Sequence, residues 1–300
     1  MTGMRTLTAF SSGNGKIEYS CASNFLFALM YSRYQLAKKF VHYYLHASNS
    51  KGHGVHSPFV FDFITHVLND PATYPEYSQV ETLRKKLRQD ASLLRIQDLG
   101  AGSRTGHTQK SVSSIARQVV KSKKLAQLLF RIVRYYRSQT ILEMGTSLGI
   151  TSSYLALANP HSLLTTLEGS EEIAGVARKN FSALSLSNVQ LITGNFDATL
   201  PKILEQTDTV DLAFIDGNHA KEPTLLYFKA LLRKVKPSSI IIFDDIHWSK
   251  GMEEAWNAIK ADPSVTLSID LFFIGLVFFR EDFKIKQHFT LRHSPGLQLL

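Results

Sequence analysis

The 300-residue chain is long enough for one catalytic-size domain with an extension, and its 44% apolar and 20% charged residues exclude wholesale disorder. No apolar run reaches the ~18 residues of a membrane-spanning helix, and the single cysteine, Cys21, excludes an internal disulfide framework and a multi-cysteine zinc site, so a cytoplasmic location without a membrane is the default expectation. The net charge of +9 is unevenly placed, with +13 in residues 1–142 and −4 in residues 143–300.

Residues 1–24 are rich in Ser, Gly, Thr and Asn without periodicity and read as a loose tail. Residues 25–46 place aromatic, aliphatic and basic side chains at helical spacing, and Met30 opens the well-patterned part. The segment 47–58 breaks that helix with Gly52, Gly54 and Pro58; its glycines, with His53 and His56, suit a mobile cover over a substrate site. Two short helices are expected over 59–68 and 76–89, a short strand over 93–99, and one long helix over 111–137. Between Leu99 and Leu142 there is no acid against nine bases, including Arg104, Lys121, Arg131 and Arg137. That region, 104–137, is either a surface for nucleic acid or a solvated helix face, and the second is favoured because no aromatic RNA-binding motif accompanies the charge.

From residue 139 short aliphatic runs alternate with amphipathic helices. The runs are 140–144, 163–167, 189–192, 210–215 and 239–243, the signature of a parallel sheet covered on both faces. The last two runs, 265–271 and 274–279, are separated by two residues. No crossover helix fits between them, so this pair must be antiparallel. The chain thus divides into a loose tail (1–29), a mainly helical N-terminal extension (30–110) and an α/β domain (111–300). The pattern gives five β/α units closed by an antiparallel hairpin.

The first of these strands ends in EMGTSLGIT, residues 143–151. Gly145 and Gly149 would let a ligand approach the backbone, and Thr146 and Thr151 flank them at a helix N-terminus. The dinucleotide pattern G-x-G-x-x-G is missing, and Glu143 before the first glycine suits a cationic ligand better than a phosphate. The second strand ends at Glu168, where an acid binds ribose hydroxyls. A ligand with a ribose, a positive charge and no phosphate fits S-adenosylmethionine.

These motifs resemble those of the class I S-adenosylmethionine-dependent methyltransferases, most closely the catechol and caffeoyl-CoA type of small-molecule O-methyltransferases and their bacterial relatives. The resemblance runs from about residue 124 to 280 and includes TLEGSEE, ITGNFDATLP, VDLAFIDGNH, IIIFDDIHW and GLVFFR. It implies a Rossmann-like seven-stranded sheet in which one strand, 274–279, runs antiparallel beside 239–243. It also implies that Glu143, Gly145, Thr146, Gly149, Thr151, Glu168 and Asp216 bind the cofactor. Asn195 and Phe196 stand where the family usually has an acid and an alanine near the adenine. In metal-dependent members three residues hold a magnesium ion, and Asp216, Asp244 and Asp245 match them, so Mg²⁺ is admitted as a second cofactor. The family often places a lysine three residues after the fourth-strand acid; here that position is His219, a candidate base, with His247 as another. The implied partner is a small-molecule acceptor, with homodimerisation compatible. A nucleic-acid or protein acceptor engaged through 104–137, and a non-catalytic Rossmann-like domain, are the alternatives. DLGAGSRTG, residues 98–106, imitates a first methyltransferase motif, but no acid and no strand series follow it, and a loop is expected there.

Overall fold

The computed structural model describes residues 30–48, 56–97 and 107–292, so the 98–106 segment and most of the glycine-rich 47–58 break lie outside the described residues. The N-terminal extension begins with α1 (Arg33–His46), which Ser32 and Gln35 start through a reciprocal capping box. α2 (Pro58–Phe63) opens on a proline and runs into a π-helical turn over Ile64–Leu68. α3 (Pro75–Leu87) follows, then an antiparallel hairpin of β1 (Leu93–Gln97) and β2 (His107–Ser111).

The long helix expected over 111–137 is two helices, α4 (Val112–Gln118) and α5 (Lys123–Tyr136). The break has a local cause. Ser122 is extended and accepts the Leu125 N–H as an N-cap. The Lys121 carbonyl is held by the buried guanidinium of Arg84 at 2.6 Å. Among the described residues, four bases of the 104–137 stretch are engaged within the chain. Besides Lys121, Arg131 donates to the carbonyls of Val67 and Leu68 at the end of the π-helical turn, Arg134 covers the Tyr74 ring, and Arg117 donates to the Arg88 carbonyl.

The α/β part then alternates: β3 (Thr140–Met144), α6 (Ile150–Ala158), β4 (Leu163–Glu168), α7 (Glu171–Ala183), β5 (Val189–Thr193), α8 (Phe196–Glu205), β6 (Leu212–Ile215), α9 (Lys221–Leu231), β7 (Ile240–Asp244), α10 (Lys250–Ala261), β8 (Leu267–Asp270), β9 (Ile274–Phe278) and β10 (Gln287–Thr290). The sheet order is β10-β8-β9-β7-β6-β3-β4-β5. Strands β5, β4, β3, β6 and β7 are parallel, and β9 runs antiparallel between β7 and β8, as the two-residue connection required. Among the described residues the sheet has eight strands rather than seven. The extra strand, β10, pairs parallel with β8 at the edge. It is four residues long, half-exposed and carries no apolar run, so it left no trace in the pattern.

The helices of the extension have no core of their own. Val60, Phe63, Val67 and Val80 pack in one cluster with Leu128, Phe130, Ile141 and Tyr154. Phe130 lies edge-on to Tyr77 and Tyr154, and each such buried side chain contributes roughly 1.5–3 kcal/mol. This packing fixes α4 and α5, and with them the loop between, over the end of the sheet where ligands bind in such folds.

Candidate active site

The strand order reverses about β3, and the C-terminal ends of β3, β4, β6 and β7 open onto one cavity of about 950 Å³. Gly145, Thr146, Ser147, Thr151, Glu168, Asp216, His219, Asp244 and Asp245 line it. Gly145 turns the chain out of β3 at φ 107°, and a Cβ there would lie 2.1 Å from the Asp216 carbonyl oxygen. Gly149 caps α6 at φ 77°, where a Cβ would strike the Phe181 ring. Both positions therefore need glycine. Ser147, between them, is also left-handed, at φ 49°.

Glu168 accepts the Ser147 N–H at 2.8 Å on one oxygen and the Ser170 N–H at 3.0 Å on the other. Burial raises its pKa against these bonds. Each oxygen keeps a second lone pair for a ligand hydroxyl. Beneath the turn lies Glu143, fully buried. Its Oε2 accepts the hydroxyls of Ser152 and Thr166, while Oε1 has no partner among the described residues. Burial pushes this carboxyl up to about 8, against the two hydroxyl bonds. A half-satisfied buried acid is a receptor for a donor or a cation.

The acidic end of the cavity holds Asp216 after β6, Asp244 at the end of β7, and Asp245, which is left-handed at φ 53°. Burial first, then the neighbouring carboxylate, pushes Asp244 and Asp245 each up to about 6. Lys121, from the loop between α4 and α5, reaches among them. Its Nζ lies 2.9 Å from Asp216 Oδ1 and donates to Asp244 Oδ2. Burial alone would lower the lysine pKa, but Asp216, Asp244 and Asp245 outweigh it and hold the group well above its ordinary value. His219 Nε2 is 3.6 Å from Asp216, and its Nδ1 is 3.7 Å from Asp245.

The same side chains offer a donor set for a divalent ion. One ligand atom each of Asp216, His219 and Asp244 lies within 4.8 Å of the others, and carboxylates are hard donors. However, a cation is already in place. A metal ion ~2.0–2.6 Å from the oxygens of Asp216 and Asp244 would compete for the space and the charge that the Lys121 ammonium occupies. With Lys121 so placed, these residues do not fit a resident Mg²⁺.

Not every expected residue reaches the cavity. Asn195 caps α8 through the Asp197 N–H, and Phe196 packs against Gly217; neither lines the cavity. Glu143 and Gly149 lie under it rather than on its wall. His247 is the clearest correction. Its ring nitrogens are engaged by Glu253 at 3.0 Å and Asp270 at 2.9 Å, and it stacks on Phe272, so no lone pair is open to an acceptor proton. Glu253 also accepts from Tyr31 and Lys39, so this network clamps α1 and the segment before it onto the sheet. Tyr31, Arg33 and Leu36 thereby become part of the cavity wall.

A pH dependence follows from this network. Burial alone would lower the His247 pKa, but the bonds and charge of Asp270 and Glu253 raise it to about 9. An unfolded histidine titrates near ~6.5, so the folded-state gain is complete below that pH and is lost as pH rises through about 9, a change of at most ~3 kcal/mol. His247→Gln should therefore lower the melting temperature at pH 6 and cost progressively less toward pH 10. A pH-independent difference would contradict the clamp.

Lys121 was missed by the sequence reading. It sits in a base-rich stretch whose apolar stripe suggested one unbroken helix, and a signal was there in Ser122 followed by Lys-Lys-Leu, an N-cap before a helix.

Comparison with known proteins bears on the fold that carries this site. Residues 142–246 match the model of a methyltransferase domain family. A tRNA (guanine-N(7)-)-methyltransferase from Mycoplasma mobile is 32% identical over 80 residues, which span 27% of this chain and 40% of that protein. Among solved structures, a Klebsiella pneumoniae protein provisionally named an O-methyltransferase superposes with a TM-score of 0.51 at 20% identity, covering 70% of this chain and 92% of its own. Cofactor-bound Rv0187 from MTB gives a TM-score of 0.51 at 20% identity, over 75% and 98% of the two chains. At these identities the structural likeness establishes the fold. No helix among the described residues is long and apolar enough to cross a membrane.

Proposed function

We propose that this chain, which has the class I methyltransferase fold with a methyltransferase domain over residues 142–246, transfers a methyl group from S-adenosylmethionine to an oxygen of a small-molecule acceptor. The observation that carries this reading is the single cavity into which the glycine turn, Glu168 and the Asp216–His219–Asp244 group all open. S-adenosylmethionine supplies a methyl group already activated on a sulfonium. The protein then has to bind, align and deprotonate.

Glu168 takes the ribose hydroxyls on its free lone pairs. Gly145 leaves the backbone of the turn open to close approach, and Oε1 of Glu143, beneath the turn and unpaired among the described residues, receives the ammonium end of the cofactor through water. At the other end, His219 Nε2 takes the acceptor's hydroxyl proton, and the acceptor oxygen forms its new bond to carbon as the carbon–sulfur bond breaks. Neither ring nitrogen of His219 is within hydrogen-bond distance of its carboxylate neighbours, so the imidazole is not locked as that of His247 is. Tyr31, Leu36, Val119, Val120 and Phe273 offer an apolar wall for the body of the acceptor.

A screen of hydroxyl-bearing small molecules with methyl-labelled S-adenosylmethionine tests this. Label is expected in a methyl ether product, and His219→Ala should lower kcat roughly 10²–10⁴-fold, the range of general base catalysis. Label transferred only to RNA in a parallel arm would instead favour a nucleic-acid acceptor.

A further inference from the structure

We propose that Lys121 is the resident cation of the acceptor site and takes the place of a divalent metal. The inference rests on the methyl-transfer reading above and deepens it, because it names the group that holds the acceptor oxygen. Of the residues that resemble a magnesium triad, Asp216 and Asp244 contact an ammonium that belongs to the chain itself, and the charge of Asp245 acts on it.

Several independent features hold that ammonium there. The Lys121 side chain is 15% exposed, and the Asp244 side chain 1%. Its backbone is fixed from the far side, since Arg84 donates to the Lys121 carbonyl at 2.6 Å. Arg84 is in turn oriented by Glu81, which also accepts from Tyr154 of α6. Ser122 begins α5 one residue later, so the loop cannot join either helix without losing that cap. A long surface lysine would spend entropy to stay in one place. This one is held by its backbone and by carboxylates at the ends of two adjacent strands, Asp216 just after β6 and Asp244 at the end of β7.

The ammonium has three N–H donors, and two face Asp216 and Asp244. The third serves the acceptor. It donates to the acceptor oxygen, steadies the negative charge that develops as His219 removes the proton, and orients the oxygen for in-line attack. Lys121 stays protonated throughout. The hydroxyl proton goes to His219, the oxygen's electron pair forms the bond to the methyl carbon, and the electrons of the carbon–sulfur bond return to sulfur. No external metal is needed to balance the step.

The test uses the full chain loaded with S-adenosylhomocysteine and titrated with MnCl₂, with free Mn²⁺ read by electron paramagnetic resonance. Wild type is expected to leave Mn²⁺ free up to about 1 mM, the weak end of protein sites for hard cations. Lys121→Met exposes the same carboxylates without their counter-charge and is expected to bind one Mn²⁺ at least ~10-fold more tightly than wild type. Uptake of one Mn²⁺ by wild type below ~100 µM would overturn the proposal, as would a folded Lys121→Met that binds no more tightly than wild type. The wild-type arm decides even if that variant fails to fold, and Lys121→Gln is the second variant. With an acceptor in hand, wild-type activity should survive excess chelator, while Lys121→Met should lose roughly 10²–10³-fold in kcat, as for a lost oxyanion donor. Failure of wild type to bind S-adenosylhomocysteine in calorimetry would sink the methyl-transfer reading instead, leaving the Mn²⁺ result to judge Lys121 as a structural counter-ion.

Discussion

Replacing Glu168 by alanine is expected to weaken S-adenosylhomocysteine binding by at least roughly 10- to 100-fold, because even one hydrogen bond to a charged group is worth about 1.5–3 kcal/mol. The carboxylate is not free to be lost without a second effect. It also accepts the Ser147 and Ser170 N–H groups, which shape the turn after β3 and the start of α7. Glu168→Gln separates the two effects, since its amide keeps one acceptor for the backbone but loses the charge and one oxygen. Calorimetry should rank affinity as wild type, then Gln, then Ala, with the melting temperature falling mainly for Ala. Equal affinity in all three would remove Glu168 from the ribose site.

Gly145→Ala should be the most damaging small substitution in the turn. The added Cβ would sit 2.1 Å from the carbonyl oxygen of Asp216, a backbone atom of the adjacent strand end. The residue also has φ 107°, which an alanine adopts only under strain. Relief requires the ends of β3 and β6 to part, yet the Asp216 N–H is bonded to the Met144 carbonyl at 2.9 Å. Overpacking and backbone strain together suggest a loss of about 2–5 kcal/mol, which in a domain of this size lowers the melting temperature by roughly 5–15 °C. Because the displaced strand end carries Asp216, cofactor binding and acceptor alignment should fall together. An alanine variant that melts within a degree of wild type would show that the turn has more room than the structure gives it.

The sheet was legible in the sequence because its strands are covered on both faces. Continuous aliphatic runs such as TILEM and IIIFD then leave a period that survives any detail of the loops. The antiparallel orientation of β9 against β8 followed from the two-residue connection, and its place beside β7 is what the resemblance implied. β10 was not legible, because an edge strand of four half-exposed residues is stabilised by pairing with β8 rather than by its own side chains. The ends of the strands were legible for a related reason. Glu143, Glu168, Asp216 and Asp244 each interrupt an apolar run at a point where burial of a charge needs a purpose.

What the sequence concealed lies in long-range geometry. Lys121 and Asp216 are 95 positions apart, and nothing local to either shows that they meet. His219 and His247 follow Asp216 and Asp244 by the same three residues, yet one faces the cavity and the other is clamped by Glu253 and Asp270. That difference is set by α10 and β8, which supply the clamping acids. The base-rich stretch misled for the same reason. Charge counted along a chain does not distinguish a surface from a set of tethers, and Arg117, Lys121 and Arg131 are tethers.

The most direct measurement is a crystal structure of the chain soaked or grown with S-adenosylhomocysteine. The ribose hydroxyls should lie on Glu168, the ammonium end over the turn at Gly145 within reach of Glu143, and the sulfur should face His219 and the ammonium of Lys121. A cofactor bound away from the ends of β3 and β4, or a saturated crystal with this cavity empty, would contradict the assignment of the site.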